Sequence, residues 1–523
     1  MSGIYNLPPT HQLSQALQRR TNQLLQSYTD DEVFMYLADT LYKERKRLED
    51  DQTATMEYRK ALQTASRAIH RNRGAIISAL MNLVNAYTHE IHNHFSPRTY
   101  KIAAKVLPNA LTRLLTAAQP AQLFGADFDP KSRIIVQGPV DKLQKLSKSH
   151  VLVYVPTHLS NLDSPLIGYA LAAAELPPVI YGAGLNLFSN PLMSFFMSRL
   201  GAYTVDRRKQ NRLYKNVLKD YAIEATMRQC HSLFFPGGTR SRSGKIESKL
   251  KKGLLGTPIH AWQETIANGK NLEVLFVPCT LSFSLTLEAE TLITDSLAEK
   301  GKSRFIITDD EFSETKTLAN FGRKVLNLDS SVYVRFGDPL DIAGNSVTAQ
   351  GESIDPTGNT INRREYVTDR HGAVVFDKQR DQVYTEILAQ KITASYKKDN
   401  IALATHLAAF SAWQLLSEKH PRLDDIQKVA LQPQERRIKT TDLVSRIDKI
   451  HQQIIRAKSQ GRICEELPKD AQAILQSALL RFGSFHRSRC LMIRGEHVEV
   501  GSKLALYYGN RLQGYGFTGT EKT

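Results

Sequence analysis

VLVYVPTHLSNLD, the stretch from Val151 to Asp163, decides the fold class of this 523-residue chain. Its first six residues form a continuous apolar run, which is typical of a strand buried on both faces of a parallel sheet. The run leads to His158, and Asp163 follows five positions later. A side chain placed just after such a strand lies at the carboxyl edge of the sheet, where α/β proteins bind ligands. The stretch therefore predicts an α/β domain with a candidate site at this edge.

Other apolar runs of strand length occur on both sides of this stretch, with helical patterns between them. They are RIIVQG from Arg133, PVIYGA from Pro178, SLFFPG from Ser232, VLFVPCTLSF from Val274 and VYVRFG from Val332. Alternation of this kind predicts an α/β domain with a mostly parallel central sheet. We assign residues 121–345 to this domain.

The region before the α/β domain, residues 1–120, is predicted to form a separate N-terminal helical domain. Apolar residues between Ala75 and Phe95 recur at the spacing of one helix face. Another helix is expected after Pro97. Pro108 should kink this helix, because proline lacks a backbone donor and clashes with the preceding turn.

The region after the α/β domain divides into two parts. Residues 346–380 are polar and rich in Gly, Ser, Thr and Asn, which predicts a loop or excursion. Residues 381–523 predict a mainly helical C-terminal region, in which NIALATHLAAFSAWQLL, from Asn400, is an apolar helix. The stretch HVEVGSKLALYYGNRL, from His497, fits short strands or a helix. We detect no internal repeat.

Composition limits the classes of protein to which the chain can belong. Its four cysteines are scattered without CxxC spacing, which argues against a disulfide framework or a zinc site and fits a reducing cytosol. The N-terminus has no apolar core of the signal-peptide type, and no apolar stretch reaches the length of a membrane span. The formal net charge of +17 favours an anionic partner, which could be nucleic acid, anionic lipid or a phosphorylated small molecule.

His158 and Asp163 are the candidate catalytic pair. A neutral histidine is the natural general base for a hydroxyl group near neutral pH. Asp163, at the start of the following helix, can accept a hydrogen bond from the other ring nitrogen and so fix the tautomer. The same spacing occurs at His420 and Asp425, but that pair lies in a polar run and follows no buried strand. Context rather than spacing therefore selects His158.

Two basic segments are candidates for binding an anion. GAYTVDRR, from Gly201 to Arg208, presents arginines that can fork onto phosphate oxygens. The charges that follow it are expected on a solvated face: Lys209, Arg212 and Lys215. FFPGGTRSRSGK, from Phe234 to Lys245, is an apolar strand that opens into a glycine-rich turn with arginines and hydroxyl groups. Glycines allow backbone N–H groups to approach an anion closely. The segment lacks the GK[ST] ending of a Walker A loop.

A fourth element, Val277-Pro278-Cys279, ends the VLFVP strand. Taken alone it indicates the end of a buried strand. Cys279 is expected to be a buried structural residue rather than a nucleophile.

Taken in this order, the four elements resemble the glycerol-3-phosphate and lysophosphatidic acid acyltransferase superfamily. The resemblance implies that His158 is the base that activates an acceptor hydroxyl for attack on an acyl thioester, and that Asp163 supports it. It also implies a set of acceptor-binding residues: Arg207, Gly238, Thr239, Arg240, Ser241 and Arg242. Gly237 departs from the pattern, because the family usually has Glu there; this concerns acceptor identity more than the reaction.

The resemblance extends to both helical flanks, which look like those of the larger glycerol-3-phosphate acyltransferase-like members. It therefore favours glycerol-3-phosphate as the acceptor, with lysophosphatidic acid as the alternative and a non-catalytic lipid-binding scaffold as a second one. The implied reaction needs no metal and no cofactor, and acyl-CoA or acyl carrier protein is the donor. We expect a cytoplasmic protein that is peripheral to the anionic inner face of the cell membrane. No nucleic acid partner is expected, because no reader motif accompanies the positive charge.

Overall fold

The computed structural model describes residues 3–49, 54–102, 134–185, 197–300, 331–482, 486 and 488–519. The chain begins with a short 3₁₀ helix, Gly3–Asn6, and four long helices. These are α1 (Thr10–Gln26), α2 (Asp30–Glu49), α3 (Met56–Ala68) and α4 (Arg73–Ile91). The side chains of Thr55 and Asn72 cap α3 and α4 by accepting N–H groups of the first turn. Most of the helix expected after Pro97, including Pro108, lies outside the described residues.

The central sheet has seven strands in the order β1-β7-β6-β2-β5-β3-β4. All neighbouring pairs are parallel except β6 and β7. The prediction of an α/β domain with a mostly parallel sheet is therefore confirmed. The strands are β1 (Ile134–Gln137), β2 (Val151–Pro156), β3 (Ile180–Gly184), β4 (Ala202–Val205), β5 (Ser232–Leu233), β6 (Val274–Phe283) and β7 (Val332–Phe336).

Helices connect these strands on both faces of the sheet. They are α5 (Val140–Leu146), α6 (Asp163–Ala173), α7 (Arg212–Met227), α8 (Lys252–Leu255), α9 (Thr257–Ala267) and α10 (Ala289–Lys300). Strand β2 is buried along its whole length. Leu152 and Tyr154 pack into one layer of the core, whereas Val151, Val153 and Val155 pack into the other. Burial on both faces explains why the run is continuously apolar.

Two strands differ from their sequence-based prediction. The apolar run from Ser232 keeps only two residues in the sheet, because the chain leaves β2 after the N–H of Phe234 donates to the carbonyl oxygen of Tyr154 (3.2 Å). Strand β4, Ala202–Val205, was not predicted as a strand. It is the outermost strand on one side of the sheet. Because it is parallel to its neighbour, the GAYTVDRR segment continues at the carboxyl end of the strands, where His158 also lies.

The N-terminal helices share a hydrophobic core with the α/β domain. Leu213, Val217 and Tyr221 of α7 pack among the buried residues of α1 to α4, and Ile180 of β3 and Tyr203 of β4 join them. The boundary at residue 120, like the other domain boundaries, stays a prediction.

The polar stretch after β7 is more regular than the loop that we predicted. It contains three short antiparallel strands, β8 (Ser346–Val347), β9 (Ser353–Ile354) and β10 (Thr360–Ile361). Five consecutive heptads cover this region: DIAGNSV, TAQGESI, DPTGNTI, NRREYVT and DRHGAVV, from Asp341 to Val375. In each heptad the first side chain accepts the N–H of the residue two positions later. The expectation that the chain has no internal repeat is therefore wrong for this segment.

The C-terminal region is mainly helical, as predicted. Its helices are α11 (Lys378–Asp399), α12 (Ala404–Lys419), α13 (Asp425–Val429), α14 (Thr440–Ser459), α15 (Ala471–Phe482) and α16 (Ser502–Gly509), and a 3₁₀ turn follows at Asn510–Leu512. Its strands are β11 (Ile401–Leu403), β12 (Arg437–Lys439), β13 (Cys464–Glu466), β14 (Leu491–Arg494) and β15 (His497–Val500).

One boundary in this region was predicted wrongly. The apolar helix expected from Asn400 begins only at Ala404, because Ile401–Leu403 pairs with β13 in a parallel ladder. The stretch from His497 contains both a strand and a helix. Among the described residues, no helix is both long enough and apolar enough to cross a membrane.

Candidate active site

The histidine that follows β2 is paired with Asp163, as the sequence predicted. Nδ1 of His158 lies 2.8 Å from Oδ2 of Asp163, which is the first residue of α6. The same oxygen accepts the N–H groups of Leu159 (2.6 Å) and Ser160 (2.9 Å). Because a carboxylate only accepts, Nδ1 carries the proton and the lone pair of the neutral ring is on Nε2. The arrangement can take a proton from a hydroxyl group at Nε2 and stabilise the imidazolium that results.

The ring of His158 has a defined position but is not sealed from solvent. It stacks on Phe235 with the ring centroids 4.2 Å apart and an angle of 27° between the planes. Its side chain keeps 16% of its surface exposed. The loop before it is anchored to β6, because the N–H of Thr157 donates to the carbonyl oxygen of Cys279 (2.9 Å). A base held in this way remains accessible to a substrate.

The glycine-rich turn after β5 lies beside His158. Gly238 has a φ of +77°, a conformation that favours glycine, and its N–H donates to the carbonyl oxygen of Phe235 (3.0 Å). The N–H of Ser241 donates to the carbonyl oxygen of His158 (2.7 Å). Thr239 is exposed between them. The structure thus brings Gly238, Thr239 and Ser241 near the candidate base, and their role in binding an acceptor stays a prediction.

The three arginines of the predicted set have different surroundings. Arg240 forms an ion pair with Glu288, with Nη1 3.3 Å from Oε1. Arg242 pairs with Glu299 of α10. Arg207 is exposed directly after β4, at the carboxyl end of the strands like His158. Strand β4 lies three strands from β2 in the sheet. Among the described residues, none forms an ion pair with the guanidinium of Arg207. Their role in binding an acceptor stays a prediction.

Two carboxylates that no sequence pattern indicated hold the loop that carries His158. Oε1 of Glu247 accepts the N–H of His158 (2.7 Å). Glu288 accepts the hydroxyl group of Ser160 and the N–H of Asn161, both at 2.9 Å, in addition to Arg240. Burial raises the pKa of both carboxyl groups above its usual range. Both residues are distant from His158 in sequence, so no spacing signal could have identified them.

The C-terminal region reaches the inner side of the same loop. A small cavity lies there, and it is lined in part by Leu159, His406, Tyr507 and Arg511. The guanidinium of Arg511 is buried and donates to the carbonyl oxygen of Leu281 (2.6 Å). Burial lowers the pKa of Arg511, while the negative charges of Glu247 and Asp163 favour its charged form. Residues of the α/β domain and of the C-terminal region therefore meet beside the loop that carries His158.

Lys209 does not lie on a solvated face, as we had expected, but is buried. Its ammonium nitrogen lies over three tyrosine rings and pairs with Glu90 of α4. The distances to the ring centroids are 4.3 Å for Tyr58, 5.0 Å for Tyr87 and 5.3 Å for Tyr214. The N-terminal helices supply two of these rings. They therefore hold the segment that carries Arg207. Arg212 and Lys215 are exposed, as expected.

Cys279 and the second His–Asp pair, His420 and Asp425, have structural contacts of their own. Cys279 is buried, and burial raises the pKa of its thiol well above the usual range, which fits a structural role. His420 bonds to the carbonyl oxygen of Glu435 (3.1 Å), and Asp425 pairs with Lys300. Within the described ranges, no group of three or more His, Cys, Asp or Glu side chains is arranged to hold a metal ion.

Comparison with known protein families gives a match over the part of the chain that contains His158, Asp163 and the glycine-rich turn. Residues 138–282, from the start of α5 to β6, match the family model described as Acyltransferase. This part of the chain is therefore similar to the acyltransferase family. The matched range contains the His158–Asp163 pair, Arg207 and the glycine-rich turn, but not Glu288.

Individual relatives within this class carry the name glycerol-3-phosphate acyltransferase. The chain is 28% identical to that of Haemophilus ducreyi over 299 residues, which cover 55% of this chain and 33% of the relative. It is 31% identical to that of Pseudoalteromonas translucida over 199 residues, 38% of this chain and 22% of the relative. It is 29% identical to that of Pasteurella multocida over 208 residues, which cover 39% of this chain and 23% of the relative. The chain thus spans a third or less of the length of these relatives.

Proposed function

We propose that this protein transfers a fatty acyl group from an acyl thioester to the hydroxyl group of glycerol-3-phosphate. The observation that carries the proposal is the 2.8 Å contact between His158 Nδ1 and Asp163 Oδ2, beside the glycine-rich turn and inside the range that matches the acyltransferase model. The pair leaves Nε2 of His158 for the proton of an acceptor hydroxyl group. The name of the relatives supports glycerol-3-phosphate as that acceptor.

The proposed reaction proceeds in two proton transfers. Nε2 of His158 removes the hydroxyl proton while the acceptor oxygen attacks the thioester carbonyl carbon and forms the new C–O bond. When the tetrahedral intermediate collapses, the C–S bond breaks and the imidazolium returns its proton to the departing thiolate. Asp163 stabilises the imidazolium between these steps. The proposed chemistry uses no cofactor beyond the donor, which is acyl-CoA or acyl carrier protein.

The oxyanion of the intermediate needs hydrogen-bond donors. The N–H of Gly238 is already engaged with the carbonyl oxygen of Phe235. The neighbouring N–H of Thr239 has no acceptor among the described residues, so we assign it as the candidate donor. The exposed Arg207 is proposed to bind the phosphate of the acceptor, because guanidinium groups can bind phosphate through two parallel hydrogen bonds.

Product analysis tests the proposal and its main alternative. Purified protein is incubated with ¹³C-labelled glycerol-3-phosphate and palmitoyl-CoA or palmitoyl acyl carrier protein, and the lipid product is identified by mass spectrometry. The proposal predicts labelled monoacylglycerol phosphate with at least one donor. Acylation of lysophosphatidic acid in a parallel reaction, without acylation of glycerol-3-phosphate, would favour the alternative acceptor. Absence of transfer to either acceptor from either donor would contradict the proposal and favour a lipid-binding scaffold.

We also propose that the protein binds anionic membrane surfaces peripherally. The net charge of +17 supports this, because basic surfaces are attracted to anionic lipid headgroups. Co-sedimentation with vesicles of phosphatidylglycerol and phosphatidylcholine should decrease as the salt concentration rises. Steeply salt-dependent binding to duplex DNA without binding to vesicles would contradict it.

A further inference from the structure

Gly237 leaves a space that the carboxylate of another residue fills. A Cβ atom placed on Gly237 would lie 3.3 Å from Cγ and 3.4 Å from Oε1 of Glu247. Unlike Gly238, Gly237 does not have a positive φ, so its backbone conformation does not require glycine. What the position requires is room, since a side chain there would press on Glu247.

Glu247 contacts the main chain of the candidate base. Its Oε1 accepts the N–H of His158 at 2.7 Å, the short distance of a charge-assisted hydrogen bond. Glu247 as a residue is partly exposed, but its Oε2 is shielded from solvent and has no hydrogen-bond partner among the described residues. The carboxyl group is thus enclosed, and burial raises its pKa, although the N–H of His158 and the positive charge of Arg511 act in the opposite direction.

His158 is held at three points by three different parts of the chain. Asp163 binds the ring, and the N–H of Ser241 binds the carbonyl oxygen. Glu247 binds the backbone N–H and is the most distant in sequence of the three. Removal of the third contact would allow the loop to rotate while the ring still faces Asp163. Displacement of a catalytic group by about 1 Å is enough to lower turnover about 100-fold.

We infer that Glu247 is a positioning residue for His158 and that Gly237 is glycine because Glu247 occupies the space beside it. This inference rests on the proposed function, because it assigns His158 as the base. It predicts that positions 237 and 247 are energetically coupled although they are ten positions apart in sequence.

Substitution of Glu247 separates positioning from general stability. Glu247→Ala should lower kcat about 10- to 100-fold and change KM for the acceptor by less than about threefold, because the contact acts on the base and not on substrate binding. Glu247→Gln keeps an oxygen that accepts the same N–H, so it should retain most of the activity. Glu57→Ala, at an exposed carboxylate in the first turn of α3, is the matched control and should leave kcat unchanged. Equal losses in Glu247→Ala and Glu247→Gln would overturn the inference.

A double-mutant cycle tests the coupling directly. Gly237→Ala should lower kcat in the wild-type background, since the added methyl group displaces the carboxylate of Glu247. In the Glu247→Ala background the same change should have little further effect. Additive losses would show that the two positions act independently and would contradict the inference.

A spectroscopic readout keeps this test separate from that of the proposed function. In protein labelled with ¹⁵N-histidine, the amide resonance of His158 is assigned as the peak that His158→Gln removes. Its proton should resonate downfield in the wild type and move upfield in Glu247→Ala, but not in Glu57→Ala. If the resonance moves in a protein that transfers no acyl group, the proposed function fails and the contact stands. If transfer occurs but the resonance does not move, the inference fails and the proposed function stands.

Discussion

The backbone N–H of Ser241 donates a 2.7 Å hydrogen bond to the carbonyl oxygen of His158. This bond joins the glycine-rich turn after β5 to the loop after β2. Glu288 adds a second connection, because it accepts from Arg240 in the turn and from Ser160 and Asn161 in the loop. The candidate base and the candidate anion-binding turn are therefore held as one unit.

Glu288→Ala should weaken this unit. The change leaves the hydroxyl group of Ser160 and the N–H of Asn161 without their acceptor. A buried donor without a partner lowers the free energy of unfolding by about 1–3 kcal/mol. We expect kcat to fall about 10-fold or more as the loop moves. Steady-state kinetics and urea unfolding measure the two effects. Glu299→Ala is the matched control, because Glu299 also pairs with an arginine of the turn but is exposed. Equal kcat values for the two variants would contradict this account of Glu288.

Arg207→Ala should weaken acceptor binding more than it slows turnover. Arg207 is exposed at the edge of the sheet that carries His158, and a lost hydrogen bond to a charged group costs about 1.5–3 kcal/mol. KM for glycerol-3-phosphate should therefore rise about 10- to 100-fold, with a smaller change in kcat. Lys215→Ala removes an exposed charge from the neighbouring helix α7 and should leave KM unchanged. If KM rises equally in both variants, the effect is one of net charge and Arg207 does not bind the phosphate.

Lys209→Met should destabilise the junction between the N-terminal helices and the α/β domain. The substitution leaves Glu90 without its partner and removes a cation from the three tyrosine rings. Because Lys209 is buried but Glu90 is only half-buried, the loss should be smaller than that of a fully buried pair, about 1–3 kcal/mol. Urea unfolding followed by circular dichroism should show this loss, whereas Lys215→Met should stay within about 0.5 kcal/mol of wild type. Equal stability of the two variants would mean that the buried pair contributes nothing net.

Stability should decrease in mild acid because several histidines are buried in the neutral form. Nδ1 of His231 accepts the N–H of Leu152 (3.0 Å), and burial lowers the pKa of His231 to about 4. The unfolded chain, with a histidine pKa of about 6.5, binds more protons than the folded chain between these two values. The stabilisation of the folded chain by neutral His231 is therefore complete above about pH 6.5 and is lost as the pH falls towards about 4. Burial lowers the pKa of His150 to about 4 and that of His406 to about 3, so both act in the same direction.

Urea unfolding at several pH values between 7 and 4 measures this dependence. His231→Asn keeps an acceptor for Leu152 but does not titrate, so its unfolding free energy should fall less steeply than that of the wild type. Identical slopes would show that His231 does not contribute to the acid sensitivity.

The sequence was informative where one local pattern determines the structure. Strand β2 runs from Val151 to Pro156 as predicted, because burial on both faces requires an uninterrupted apolar run. His158 and Asp163 could be selected because both lie within seven positions of the end of that strand. The heptads from Asp341 were missed because Asp, Asn and Thr can all cap the same turn, so the repeat hardly shows as sequence identity.

The carboxylates of the site could not be predicted for a different reason. Glu247 and Glu288 reach the loop that carries His158 only because the strands that precede them, β5 and β6, both pair with β2. Lys209 appears solvated in sequence because the rings of Tyr58 and Tyr87 come from helices more than a hundred residues earlier. Contacts of this kind depend on tertiary packing, which one sequence without its fold does not reveal.

Acceptor-dependent thiol release in the wild type, His158→Ala and Asp163→Asn tests most directly whether His158 is the base. Palmitoyl-CoA and palmitoyl acyl carrier protein are each supplied with glycerol-3-phosphate, and free thiol is followed over time. If His158 is the base, release requires the acceptor with at least one donor and falls about 10²- to 10⁴-fold in both variants. Full activity in His158→Ala, or release by the wild type that does not depend on the acceptor, would contradict the assignment of His158 as the base.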